Sequence, residues 1–239
     1  MKRALILVVL SSAVAVPPTF GDMIYNVTFE DPPHTVDNPV ATGANMSDRP
    51  RDTIGTVMTR SAVADFSSQV ASLEPAGLMN FFTTNIVSSG LVLISWDLAM
   101  LSFGPGGNAD TAQVSFEPSG VSPLIMNWQR DSDFVIGGNN VATFTLGQQD
   151  HYEFMLDLDN DTYDFAMNGS PILTNQALQA GFNVNYVNFN SANLESPSYA
   201  VDNFRWEVVP EPSTWLLLST GCLAAVYGRR LLETKAAGR

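Results

Sequence analysis

The chain has 239 residues, with 24 acidic against 11 basic side chains and a net charge of −13. That balance excludes nucleic acid and anionic membrane surfaces as partners of the folded part, because both repel an acidic domain. The only cysteine, Cys222, lies in a C-terminal apolar run, so the rest of the chain has no disulfide framework, zinc–thiolate site or thiol nucleophile and must hold together by core burial.

Lys2 and Arg3 precede a run of small and apolar residues from Ala4 to Val14, and Ala13-Val14-Ala15 gives the small-x-small pattern of a signal-peptidase site. The run is short for a membrane span, which takes about 20 apolar residues, and Pro17-Pro18 closes it. Residues 1–21 therefore read as a signal peptide in a signal helix, cleaved after Ala15 or Gly21. From Val16 to Val209 there are 22 acidic residues and five arginines, a net of −17. This suits solubility outside the cell and leaves capacity for cations such as calcium.

Residues 22–208 read as all-β. Short apolar or alternating runs recur between clusters of Gly, Pro, Asn, Asp and Ser: Met23–Phe29, Leu91–Leu98, Ala112–Phe116, Val141–Leu146, Tyr152–Leu158, Tyr163–Met167, Val184–Phe189 and Tyr199–Val208. Period-2 alternation is clear in Val141–Leu146 and Val184–Phe189. The nearly continuous apolar run Leu91–Leu101 reads as a central strand buried on both faces. Asn175–Ala180 reads as a helical turn. Asp31–Asp52 reads as an ordered surface excursion, and Ser102–Asp110 as a loop. Many short strands with regular turn signals predict a two-sheet antiparallel β-sandwich of jelly-roll type.

Asp157, Asp159 and Asp161 alternate as in calcium loops, but Thr162 stands where such a loop needs glycine, and Asn168 where it needs its last glutamate. The competing reading is a β-hairpin, with Tyr152–Asp157 and Thr162–Met167 as strands and Leu158–Asp161 as the turn, followed by a tight turn at Asn168-Gly169. Both readings stand at this level. Among the tryptophans, Trp128, beside Asn127, Gln129 and Arg130, is the least core-like. Trp128 and Arg130 are therefore the candidate ligand contacts.

The segment from His151-Tyr152-Glu153-Phe154 through Tyr163-Asp164-Phe165 to Asn168-Gly169 resembles the late hairpin of concanavalin A-like, laminin-G-like jelly rolls, and Tyr199–Phe204 resembles their last strand. In carbohydrate-binding members an early acidic residue and an Asp of the last strand share a structural calcium. The resemblance places these at Glu30 and Asp202. The alternative is that both are solvated or pair with Arg205.

Retaining glycosidases need two carboxylates about 5 Å apart, and the Glu-x-Asp-x-x-Glu strand of jelly-roll glycosidases is absent. Glu74, Glu117, Glu153, Glu195 and Glu207 stand singly, His34 and His151 are the only histidines, and no Gly-x-Ser-x-Gly occurs. The expectation is a non-catalytic protein, with a divergent glycan-active hydrolase as the alternative.

The most specific signal is the tail, residues 209–239. The motif Pro210-Glu211-Pro212-Ser213 leads into an apolar run opened by Trp215, over residues 215–228, and then into a basic tail, 229–239, headed by Arg229 and Arg230. The tail resembles the PEP-CTERM sorting signal of exopolysaccharide-producing bacteria. Two prolines break regular structure and expose the backbone between them. Arg229 and Arg230 would stop transfer on the cytoplasmic side. The run would form a short transmembrane helix, weak as an anchor against a hydrocarbon core about 30 Å thick. The resemblance implies an exported, inner-membrane-tethered precursor handled by signal peptidase and an exosortase. Its final place would be the cell surface or matrix, with exopolysaccharide as the partner and structural Ca2+ as the cofactor to test.

Overall fold

A computed structural model describes residues 23–30, 34–35, 37–42, 50, 52–54, 56–61, 63–103, 111–118, 120–191 and 197–209. The expected signal helix, most of the Asp31–Asp52 excursion, residues 104–110 and the whole sorting tail lie outside them. No helix among the described residues is long and apolar enough to cross a membrane.

The described chain is built of β-strands: β1 Met23–Val27, β2 Asp52–Ile54, β3 Val57–Ser61, β4 Gln69–Leu73, β5 Leu78–Val87, β6 Leu91–Ser102, β7 Thr111–Phe116, β8 Leu124–Gln129, β9 Asp133–Ile136, β10 Asn139–Thr143, β11 Asp150–Asp157, β12 Thr162–Met167, β13 Ser170–Ala177, β14 Val184–Ser191 and β15 Ser198–Val209. Sheet A runs β13-β12-β11-β6-β15-β4-β3, with β1 also on β15, and sheet B runs β10-β9-β8-β7-β14-β5-β2. Strand pairs are antiparallel throughout. The expected two-sheet, all-β architecture is what the described residues adopt.

Alternation drives the packing. Along β11 buried and half-buried residues alternate strictly, so Tyr152, Phe154 and Leu156 enter the core while His151, Glu153 and Met155 face away. Trp96 on β6 stacks on Tyr152 and Phe154 at ring separations of 5.9 and 5.7 Å and meets Phe116 and Phe189 of sheet B edge-on. Phe204 of β15 stacks on Phe81 of β5 at 3.9 Å. Aromatic side chains of this size bury some 150–250 Å² each, about 5 kcal/mol of transfer free energy apiece. They join the two sheets without any covalent staple. As the apolar run predicts, β6 is central in sheet A. Its outward Ala99 is covered by Phe66, Val70 and Ala200.

Two expected elements differ. Val141–Leu146 is not one strand: β10 ends at Thr143, Phe144 turns into the core, and Gly147 takes a φ of 77° as the chain crosses from sheet B to sheet A. Asn175–Ala180 is not a helical turn. Its first half belongs to β13, which pairs with β12 through Tyr163–Gln176 and Thr162–Ala177. Asn175 adopts a φ of 52°, and its N–H donates to Asp164 Oδ1 at 2.6 Å. The register shifts here, with Thr174 and Asn175 both opposite Asp164, so Asn175 sits in a bulge of the edge strand.

β15 organises the rest of sheet A. One edge pairs with β6 along its length. The other edge is shared, with Tyr199–Val201 on β4 and Phe204–Glu207 on β1. Between these halves lies a bulge at Asp202–Asn203, where Asn203 has a φ of 51°.

Candidate functional site

The expected ligand contact at Trp128 is overturned. Its ring is fully buried, and its Nε1 donates to Tyr152 Oη at 2.9 Å. It lies on the inward face of β8, between Phe134 and Tyr152, because a period of two sends Trp128 inward and its polar neighbours Asn127 and Gln129 outward. Arg130 follows β8 and is half-buried and engaged.

The acidic run forms the hairpin. β11 and β12 pair in register from Tyr152–Met167 to Asp157–Thr162. Asp157 Oδ1 accepts from Asp159 N and Asn160 N at 3.2 and 3.0 Å, and its Oδ2 accepts from Asn160 Nδ2 at 2.8 Å. Asp161 Oδ1 accepts from Gly181 N at 3.0 Å. The carboxylates of Asp157 and Asp161 thus cap neighbouring N–H groups.

Glu30 and Asp202 are brought to one junction, where β1 leaves β15 and β4 joins it. Asp202 Oδ1 accepts from Phe29 N at 3.3 Å and from Asn203 N at 2.8 Å, while Oδ2 accepts from Ser68 Oγ at 2.8 Å. Glu30 Oε1 accepts from Gln69 N at 3.2 Å. Asp202 therefore supplies the acceptors that the broken ladder lacks. Burial pushes its carboxyl above the usual range, the negative charge of Asp97 adds to this, and its three donors oppose it. Among the described residues, no group of three or more His, Cys, Asp or Glu side chains is placed to hold a metal ion.

The outward face of sheet A carries a polar network that the sequence does not reveal. His151 on β11 stands opposite Asp97 on β6, which stands opposite Asp202 on β15. His151 Nδ1 lies 2.6 Å from Asp97 Oδ1, while Asp97 Oδ2 accepts from Asn203 Nδ2 at 2.7 Å and Gln149 Nε2 at 3.0 Å. Burial alone would raise the Asp97 carboxyl, but the hydrogen bonds from His151, Asn203 and Gln149 and the charge of His151 outweigh it and hold it low. The bond to Asp97 raises His151 above the ordinary imidazole value. The charges of Asp97 and Glu153 add to this, and partial burial opposes it.

The outward face of sheet B is different in kind. Its four central strands, β5, β14, β7 and β8, contain not one Asp, Glu, Lys, Arg or His. Many of their outward positions are amides and hydroxyls in cross-strand register, and the rows end on Leu78, opposite Asn190, and Ile125, opposite Ser115. Asn190 stands opposite Gln113, and Gln113 opposite Asn127. In the next row Asn80 stands opposite Asn188, and Asn188 opposite Ser115. Gln113 Nε2 donates to Asn127 Oδ1 at 3.2 Å. Beyond these rows Phe82 and Tyr186, both half-buried, form a ring pair with centroids 6.1 Å apart. The only sequence signal for this face is that these strands lack charge in a strongly acidic chain, with Asn188 and Asn190 two apart in Val184–Ser191.

The tail decides the sorting question. Residues 208–230 match the family described as the PEP-CTERM protein-sorting motif. The chain carries a PEP-CTERM sorting signal. With it the protein is an exported, exosortase-processed precursor that begins anchored to the membrane. No curated protein matches the sequence. In structure the sandwich is similar to the binding domain of Paraclostridial Mosquitocidal Protein 1, with a TM-score of 0.52 and 9% identity, covering 82% of this chain and 51% of that one. It is also similar to domain 4 of AbnA, a GH43 extracellular arabinanase from Geobacillus stearothermophilus solved with arabinotriose (TM-score 0.48, 16% identity, 82% of this chain and 97% of that one). A sialidase aligns at a TM-score of 0.48 and 11% identity over 63% of this chain and 16% of its own. The PEP-CTERM chain thus spans half of the mosquitocidal chain and a sixth of the sialidase, and at these identities the likeness is one of fold alone.

Proposed function

We propose that this PEP-CTERM protein is a non-catalytic component of the cell surface or extracellular matrix that binds polysaccharide along the outward face of sheet B. The observation that carries the reading is the uncharged amide array on β5, β14, β7 and β8 within a chain of net charge −13. Amide side chains both donate and accept, as sugar hydroxyls do, and a half-buried ring pair beside them suits the apolar face of a pyranose. An exported, sorted protein meets such polymers outside the cell, and exopolysaccharide is the partner this location supplies.

The test is a glycan array probed with the full chain in mild detergent, beside a Gln113→Ala/Asn127→Ala double variant. The wild type is expected to retain glycan, and the variant to lose at least about tenfold in affinity, near 1.4 kcal/mol. Absence of glycan retention by the wild type, or an undiminished double variant, overturns the reading.

A second reading, a divergent glycan hydrolase, is favoured by one observation. His151 is held at Nδ1 by Asp97, with Glu153 on the same face of β11. An imidazole fixed by a carboxylate is a general-base arrangement. Release of reducing ends from bound glycan, abolished by His151→Gln, would support it.

A further inference from the structure

We infer that the outward face of sheet B takes a neutral, extended polysaccharide laid across the strands, with about one sugar unit per strand, and rejects uronic-acid and sulfated polymers. This rests on the polysaccharide reading above and names the class of ligand at that face.

Charge is the first argument. A polyanion on this face would shed water from its carboxylates or sulfates and find no cation in the four strands to replace it. The margins are hostile as well. Glu117, just past β7, accepts from Ser115 Oγ at 3.0 Å and so reaches the end of the face, and Asp133 stands on β9. Arg130, beyond the end of β8, is already engaged. A neutral polymer incurs none of these costs.

Spacing is the second argument. Neighbouring strands lie about 4.8 Å apart, close to the length of one sugar unit in an extended, equatorially linked chain. The row Asn190, Gln113 and Asn127 crosses three adjacent strands, β14, β7 and β8, in direct register. A ribbon-like glycan on this row would meet an amide at each step. The bond between Gln113 and Asn127 fixes both side chains and leaves Gln113 Oε1 to accept and Asn127 Nδ2 to donate.

The third argument is an acceptor without a donor. Asn188, in the neighbouring row, is nine-tenths buried, and its Oδ1 has no hydrogen-bond partner. A buried amide oxygen left without a donor is costly unless something else supplies one. A sugar hydroxyl supplies a proton there once the amide turns toward the surface, in neutral and acidic polymers alike, so this atom points to a polysaccharide while charge selects the neutral class. Asn188 also lies between the amide row and the Phe82–Tyr186 ring pair, two residues from each along β14.

The experiment is affinity gel electrophoresis of the full chain in mild detergent, with a soluble neutral β-glucan and with alginate, at low and high salt. Retardation by the β-glucan is expected, unchanged by salt, with none by alginate. Asn127→Lys is half-exposed and so tolerated by the fold. It is expected to lower β-glucan affinity at least tenfold and to create a salt-sensitive affinity for alginate. Binding of alginate by the wild type, lost on Asn127→Ala, overturns the neutral class while leaving the polysaccharide reading intact. Binding of neither polymer overturns both.

Discussion

His151 and Asp97, 54 residues apart in sequence, are joined by an Nδ1–Oδ1 contact of 2.6 Å that ties β11 to β6 on the outward face of sheet A. Asn203, in the bulge of β15, donates to the other oxygen of the same carboxylate, so one aspartate links three strands. The imidazole is raised above its ordinary value of 6.5 and the carboxyl lowered from 3.8. A raised histidine contributes stability that is fully present below its unfolded value and is lost as pH rises through the folded one. A lowered aspartate contributes stability that is present above its unfolded value and is lost as pH falls through the folded one. The pair is therefore strongest between about pH 4 and 6.5. The share of the melting temperature due to this pair, read as wild type minus His151→Gln, should hold across that window and decline above it. His151→Gln should flatten the decline and cost about 1 kcal/mol, since solvent screens the half-exposed ring.

Asp202 behaves in the opposite sense. Its folded value is raised, so its ionisation weakens the fold as pH climbs through the carboxylate range. Asp202→Asn should keep acceptors for Phe29 N and Asn203 N and cost little at neutral pH. Asp202→Ala leaves those N–H groups without their acceptor and should cost about 2–4 kcal/mol. Urea unfolding of both variants measures the difference, and equal losses would refute the acceptor role.

Trp128 and Tyr152 hold the centre of the core. Tyr152→Phe removes the acceptor of a buried indole N–H and should cost about 1–3 kcal/mol. For a domain of this size that lowers Tm by a few degrees per kcal/mol. It should leave glycan affinity unchanged, because neither ring faces outward.

Asn168-Gly169 closes the β12–β13 hairpin with φ values of 54° and 74°. The Asn168 side chain also accepts from His151 N and donates to Asp150 Oδ1, both at 2.8 Å. Asn168→Ala should cost about 2 kcal/mol. Asn168→Gly should recover the backbone share but not the hydrogen bonds, and thermal melts of the pair separate the two contributions.

EDTA should leave the melting temperature of the folded chain unchanged, because among the described residues no three His, Cys, Asp or Glu side chains converge, and Asp157, Asp161, Glu30 and Asp202 serve as acceptors for protein N–H and O–H groups. A drop of several degrees on chelation, reversed by calcium, would show a cation held by these groups.

Much of the sandwich is legible along the chain because strand pattern is local. Tyr152–Asp157, Thr162–Met167 and the Asn168-Gly169 turn follow from alternation and turn chemistry that neighbouring residues supply. Trp128 misleads because polar neighbours in sequence are not neighbours on a face: one step along a strand changes sides. Asn175 misleads because a bulge in an edge strand interrupts the alternation by which a strand is read from sequence.

The sequence by itself determined that the chain is exported, sorted by a PEP-CTERM tail and β throughout its folded part. Signal peptides and sorting motifs are recognised as linear segments, and β alternation spans only a few residues. Only the tertiary structure decided that Asp97 meets His151, that Asp202 fills the break between β1 and β4, and that Asn190, Gln113 and Asn127 form one uncharged row. Each of these depends on which distant strands lie side by side, and that order is set by burial of the shared aromatic core rather than by any one segment.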